Sequence, residues 1–265
     1  MLAVGVLALI PIIMWLGQSA LLHRAGLPLR LRIGAPDLPR PLKRINRLVT
    51  NFAFVAVLLG YPLLRGASPL TYYLRFFPLG QRTIEMLRGA AAAILYLTLL
   101  YAAWTVTDNV RFEVRHGARR LVRRLAGVPF TAVLIALVEE LLFRGMLLAG
   151  LLDSFAPRVA LPVGIAVFAA AHYVRRVKRT WTFPGHFALG TLFCVAFFVT
   201  GRSLWLPLGL HAVGVLVLMG VRPFVRYTGP PWLVGASIFP YAGIVGIAAL
   251  MLMTLNIWLG YGGTP

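Results

Sequence analysis

The stretch VPFTAVLIALVEELLFRGMLLAGL, residues 128–151, decides the reading of the chain. It is long and apolar enough to cross about 30 Å of hydrocarbon, yet it carries Glu139, Glu140 and Arg144 near its middle. A charged side chain at the centre of a spanning helix costs about 2.5–3.5 kcal/mol on insertion scales. Three on one span therefore read as a functional cluster, with a structural ion-pair cluster as the plainer alternative. Consecutive helix positions diverge by about 100°, so Glu139 and Glu140 cannot make the same contact. Glu140 and Arg144 stand at i and i+4 and can pair. That pairing leaves Glu139 to point into the bundle as the chemically available carboxylate.

The rest of the chain has the composition that such a span needs. Of 265 residues, 60% are hydrophobic and only 12% charged, where a soluble domain carries about 25% charged residues. The mean hydropathy of +0.83 agrees. A soluble enzyme, a disordered chain, collagen and a disulfide scaffold are excluded on these grounds. The expected fold is all-α: a polytopic membrane helical bundle of about eight transmembrane helices, forming a single integral membrane domain over 1–265. The spans are expected at 2–22, 48–64, 88–107, 128–151, 159–175, 184–200, 203–222 and 234–258. The first has no basic residue before its apolar stretch and no clear small-x-small cleavage site, so it reads as a retained span rather than a signal peptide.

The chain has 26 Lys and Arg against 7 Asp and Glu. In a soluble protein that excess would suggest nucleic acid. Here 19 of the 26 fall in the first, third, fifth and seventh connections, and six in the second, fourth and sixth. By the positive-inside rule the odd connections are cytoplasmic and both termini face outward. The basic residues then meet anionic headgroups of the lipid bilayer, and no nucleic acid partner is expected. Arg111–Leu125 alternates basic and apolar positions, which suits an interfacial amphipathic helix or a solvated basic linker equally. Cys194 is the only cysteine, so neither an internal disulfide nor a cysteine-based metal site can form.

Two histidines also fall inside spans. At about 1.5 Å of rise per residue, Glu139 is about 18 Å from the outer end of its span, His172 about 20 Å and His211 about 12 Å. Helix tilt can absorb the difference for His211. A carboxylate and two imidazoles meeting in a cavity could serve general-base hydrolysis or hold a metal-bound water. His186, at the start of a span, reads as an interfacial residue. Gly190 and Gly201 read as close-packing and turn residues.

These residues carry a resemblance. Glu139-Glu140-Leu-Leu-Phe-Arg144 resembles the Glu-Glu-x-x-x-Arg motif of the CPBP family, which groups CAAX prenyl endopeptidases with bacterial Abi and bacteriocin-processing proteins. Phe168 to His172 resembles the family's Phe-x-x-x-His motif. The segment Gly201 to Ala212, ending on His211, resembles the approach to its His-x-x-x-Asn motif. The resemblance covers about residues 128–222 and makes that region the CPBP-like core. Val215 departs from it, standing where the family usually has Asn or another small polar residue.

The resemblance implies a CAAX-endopeptidase-like fold and an intramembrane endopeptidase. Glu139 and His172 would activate water, His211 would stabilise the oxyanion, and Glu140, Arg144 and Phe168 would support the site. The substrate would be a membrane-anchored protein or peptide. No cofactor is favoured, although Glu139, His172 and His211 could form a zinc site. Val215 cannot donate a hydrogen bond, and losing one oxyanion donor can cost about 10²–10³ in turnover. A backbone group near Gly214 is one candidate replacement. Two other functions follow if catalysis is absent: a binding or scaffold protein that keeps the fold, and a proton-coupled transporter using Glu139 and His172. The expected location is a bacterial inner membrane.

Overall fold

The computed structural model describes residues 2–31, 33, 38–114, 117–174, 180–235 and 239–262. Arg32, Arg115, His116, Arg175, Arg176, Lys178 and Arg179 lie outside the described residues. The described chain is helical apart from one short hairpin-like ladder. In order come α1 (Leu2–Arg24), α2 (Arg40–Leu64), α3 (Pro69–Leu74), α4 (Ile84–Val106), β1 (Val110–Phe112), α5 (Ala118–Leu125) and α6 (Val128–Glu140). A π-helical stretch, Leu141–Leu148, continues α6 directly. Then follow α7 (Ala149–Leu152), α8 (Pro157–Ala171), α9 (Phe183–Val199), α10 (Trp205–Val221), β2 (Val225–Tyr227), α11 (Pro231–Val234) and α12 (Ile244–Gly260).

Proline marks several of the starts. α2, α3, α6, α8, α9 and α11 each have Pro in their first two positions, where its missing N–H costs nothing. Ser68 adds a side-chain cap on α3 by accepting from the Thr71 N–H. α9 ends at the turn Thr200–Gly201–Arg202, where Gly201 takes φ +65°, a conformation open to glycine at little cost.

Among the described residues, four helices are long and apolar enough to cross a membrane: α1, α2, α4 and the continuous run Ala118–Leu152. Four shorter apolar helices, α8, α9, α10 and α12, have 15 to 17 residues. Length and composition therefore support four crossings, where about eight were expected. Two expected spans also differ in form. Residues 128–151 contain a π-helical middle rather than one regular helix. The segment expected at 234–258 is broken: Pro240–Ala242 forms a 3-10 turn, and α12 begins only at Ile244. Pro240 and Gly243 are the sequence cause.

The outer helices keep large apolar side chains uncovered, including Leu9, Leu16, Phe52, Leu59, Leu95 and Leu99. A helix facing lipid does this, since hydrocarbon is as good a solvent for leucine as a protein core. The interior is built from α8, α9, α10, α12 and the π-helical stretch, with α4 and α6 packed on α10.

Two sets of connections meet their own members. β1, from the third connection, pairs antiparallel with β2, from the seventh. Asp153 of the fourth connection meets Arg65 of the second at 3.6 Å and Arg202 of the sixth at 2.7 Å. The third and seventh connections are therefore neighbours, as are the second, fourth and sixth; residues 175–179 of the fifth lie outside the described residues. The run Arg111–Leu125 divides into β1 and α5; α5 buries none of its residues.

Gly89 of α4 and Gly209 of α10 set how closely those helices approach. A Cβ on Gly209 would overlap the Met86 carbonyl, and one on Gly89 the Leu206 carbonyl. Small residues at a membrane helix contact allow such backbone proximity. Gly209→Ala should cost about 1–3 kcal/mol, as overpacking does. Gly220→Ala, in the same helix with nothing within 4 Å of its added Cβ, should be neutral or stabilising. Thermal unfolding in detergent measures both; equal midpoints for the two variants contradict the close-packing account.

Candidate active site

Glu139 and Glu140 end α6, and Arg144 lies in the first turn of the π-helical stretch. The two carboxylates part company as helix geometry requires. Glu140 is fully buried. Its Oε1 accepts from Arg144 Nη1 at 3.2 Å and from His211 Nδ1 at 2.7 Å. Glu139 faces instead a cavity of about 400 Å³.

Arg144 is buried completely and its guanidinium rests on aromatic rings. It lies 4.4 Å from the Phe168 ring centroid and 4.9 Å from that of Phe193. A desolvated guanidinium over such faces gains about 2 kcal/mol or more. The same two rings reach the histidines. Phe168 meets the His172 ring edge-on at 4.5 Å, and Phe193 stacks on the His211 ring at 4.8 Å. Phe168 fits because Gly190 has no side chain: a Cβ there would stand 2.8 Å from the Phe168 ring. Phe193 was not singled out by sequence, since an aromatic on an apolar helix carries no signal by itself.

His172 follows the last residue of α8, and its Nδ1 lies 2.8 Å from the Phe168 carbonyl oxygen. A carbonyl only accepts, so this nitrogen carries the proton and donates. Nε2 then faces Glu139 Oε2 at 3.5 Å. His211, on α10, donates from Nδ1 to Glu140 and presents Nε2 at 3.8 Å from the same Glu139 oxygen. The structure thus brings Glu139, Glu140, Arg144, Phe168, His172 and His211 together. His211 reaches Glu139 despite the shorter run of residues before it in its span. The segment after α3 meets the start of α10: Leu204 N–H donates to the Phe76 carbonyl, and the Trp205 ring N–H to the Pro78 carbonyl.

The π-helical turn has a partner in α3. The Tyr72 hydroxyl donates to the Gly145 carbonyl at 3.2 Å within the buried core. Burial, with the Tyr61 hydroxyl beside it, pushes the Tyr72 phenol above its ordinary value and keeps it a donor. π-turns often sit at functional sites, and this one lies between Glu140 and the end of the motif.

His186 corrects its sequence assignment. It is fully buried rather than interfacial, with its ring 4.9 Å from that of His172. Its Nδ1 is 3.0 Å from the Thr182 carbonyl and 3.1 Å from the Tyr173 hydroxyl, and its Nε2 is 3.2 Å from the Tyr241 hydroxyl. Tyr241 also lines the cavity, as do Gly214 and Val215. Gly214 lies inside α10, where its N–H belongs to the helical ladder, so it is not a spare donor. Among the described residues, no three His, Cys, Asp or Glu side chains form a metal-binding group.

Residues 121–217 match the family model described as type II CAAX prenyl endopeptidase Rce1-like. The matched segment runs from α5 into α10 and contains all six residues gathered at the cavity. The match is consistent with a CPBP-family intramembrane protease. No curated protein and no solved structure matches the chain.

Removing one member of the buried pair should be far worse than removing both. Arg144→Met leaves Glu140 charged in the core and should cost about 3–5 kcal/mol. Adding Glu140→Gln should return much of that loss, because the stranded charge goes with it. Unfolding midpoints in detergent read the difference; additive losses contradict a coupled pair.

Proposed function

We propose that the protein is an intramembrane endopeptidase that hydrolyses a peptide bond of a membrane-anchored protein or peptide by direct attack of water. The observation that carries this reading is the placement of one carboxylate oxygen, Glu139 Oε2, beside Nε2 of both His172 and His211 at the cavity wall. Both Nδ1 atoms are hydrogen-bonded away from the cavity, so the two Nε2 atoms are what the imidazoles turn toward Glu139. Glu139 Oε2 and His172 Nε2 are both acceptors, and a water placed between them would be polarised for attack.

In the proposed reaction the water oxygen bonds to the scissile carbonyl carbon while Glu139 takes one water proton. His211, its Nδ1 held by Glu140, turns Nε2 toward the developing oxyanion. The proton on Glu139 passes to the leaving nitrogen, the C–N bond breaks, and the products are a carboxylic acid and an amine. No acyl-enzyme forms. Arg144 balances the charge of Glu140, which keeps His211 in register.

The chain is proposed to cross a bacterial inner membrane eight times as one domain, with odd connections in the cytoplasm and the termini outside. Its four shorter apolar helices would need locally thinned bilayer or flanking residues to complete their crossings. Zinc at Glu139, His172 and His211 is the alternative chemistry. Val215 on the cavity wall favours a second reading: a protein of this fold that binds a membrane peptide without cutting it.

The test uses the full chain in detergent with quenched-fluorescent peptides, with and without an S-farnesyl cysteine near the C-terminus. Glu139→Gln and His172→Ala should each lower kcat by about 10²–10⁴-fold, and a chelator should leave wild type unchanged. Loss on chelation with rescue by zinc would replace the glutamate route by a metal one. Equal peptide binding by wild type and Glu139→Gln, with no cleavage by either, would favour the binding protein.

A further inference from the structure

Val215 leaves α10 without a polar side chain one turn beyond His211, and the Gly214 amide is committed to the helix. The cavity nevertheless has two phenols on its wall, Tyr96 and Tyr241. The Tyr96 hydroxyl donates to the Gly246 carbonyl at 3.1 Å. Tyr241 is tied instead to an imidazole that lies 4.9 Å from the His172 ring. Its hydroxyl meets His186 Nε2 at 3.2 Å. The Thr182 carbonyl 3.0 Å from His186 Nδ1 places the imidazole proton on Nδ1, which makes Nε2 the acceptor and Tyr241 the donor.

The backbone of Tyr241 is held from two directions. A Cβ on Gly185 of α9 would stand 2.9 Å from the Tyr241 carbonyl oxygen, and one on Gly246 of α12 would stand 2.7 Å from the Tyr241 Cα. Both helices therefore contact this short turn through bare backbone. His186, fully buried and beside His172, holds the other end of the phenol. With the backbone and ring held in place, only the O–H has to rotate when charge develops.

We propose that the Tyr241 hydroxyl donates a hydrogen bond to the oxyanion of the tetrahedral intermediate, replacing the polar side chain absent at Val215, and that His186 is its positioning residue. The proposal rests on the peptidase reading. In the resting site the phenol proton lies on a neutral imidazole nitrogen. As negative charge grows on the substrate oxygen, the O–H turns to it, since a charge-assisted bond is roughly twice as strong as a neutral one. Tyr241 keeps its proton and forms no covalent bond. The new bond exists in the transition state and not in the ground state, so it acts on kcat rather than KM. Tyr241 lies beyond the matched segment, which ends at residue 217.

The test is the same peptide assay on the full chain, with Glu139→Gln as the inactive reference. Tyr241→Phe should lower kcat by about 10²–10³-fold, as loss of an oxyanion donor does, with KM within about twofold of wild type. Val215→Asn should restore about tenfold or more to Tyr241→Phe by supplying a second donor. His186→Phe should lower kcat in the wild-type background and add nothing in the Tyr241→Phe background. Should Tyr241→Phe fold poorly, 3-fluorotyrosine at 241 keeps the contact while strengthening the donor, and should raise kcat. If Glu139→Gln is inactive while Tyr241→Phe stays within about threefold of wild type, the Tyr241 assignment falls and the peptidase reading stands. If Glu139→Gln cleaves like wild type, the peptidase reading falls and takes this one with it.

Discussion

The rest of the structure depends on one oxygen, Oε1 of Glu140. It accepts from Arg144 at one side and from His211, 71 residues later, at the other. In a bilayer the hydrophobic effect does little to choose between helix arrangements, because lipid covers apolar side chains as well as another helix does. A buried charge-assisted bond between α6 and α10 is then a strong selector of one arrangement, since any other leaves a carboxylate unpaired in a dry core. The close backbone contact of α4 with α10 through Gly89 and Gly209 fixes the opposite side of the same helix. His211 therefore has its position set by a polar tie in front and by packing behind.

The tie also explains why two adjacent glutamates are needed. One is spent on structure, its charge matched by Arg144 and its second hydrogen bond given to His211. The other faces the cavity, with its side chain about a quarter exposed at 28%. A single glutamate could not hold His211 by Nδ1 and also face its Nε2. Phe168 and Phe193 complete the division by covering Arg144 while packing on His172 and His211. The aromatic pair joins the buried charge to the two cavity imidazoles without offering a competing hydrogen bond.

How far these features were legible depended on what each residue signals alone. Glu139, Glu140 and Arg144 stand out because charge in an apolar run is costly and therefore rare. The arginine count places the third connection with the seventh, and the second with the fourth and sixth, and these are the connections that meet. Phe193 and Tyr241 were not legible, since aromatic residues are common in membrane spans and their partners are distant in sequence. His186 was misplaced because a helix start next to Pro184 suggests an interface, whereas the described chain covers that end with Tyr173, Phe239 and Tyr241. The π-turn and the break at Pro240 are hidden in the sequence because each lies within a continuous apolar run. Pro240 and Gly243 did hold the second of these signals, but apolar neighbours on both sides concealed it.

The segments outside the matched region supply what the matched region lacks. Tyr72, from the short helix after α2, satisfies the Gly145 carbonyl of the π-helical turn. Phe76 and Pro78 accept from the start of α10. The turn at Pro240–Ala242 brings a phenol to the cavity that carries Val215. Phe76, Pro78 and the Tyr241 turn are irregular backbone, which is tolerated among membrane helices only where protein covers it. A helical motif can thus lose a polar side chain without leaving its cavity wholly apolar, provided a neighbouring turn is held tightly enough to bring another donor to the same wall. The two glycines that clamp Tyr241, Gly185 and Gly246, are the physical means of that hold. They lie on different helices, so the position of the phenol depends on α9 and α12 staying packed together, and any change that loosens that contact acts on the cavity without touching a residue of the matched motifs.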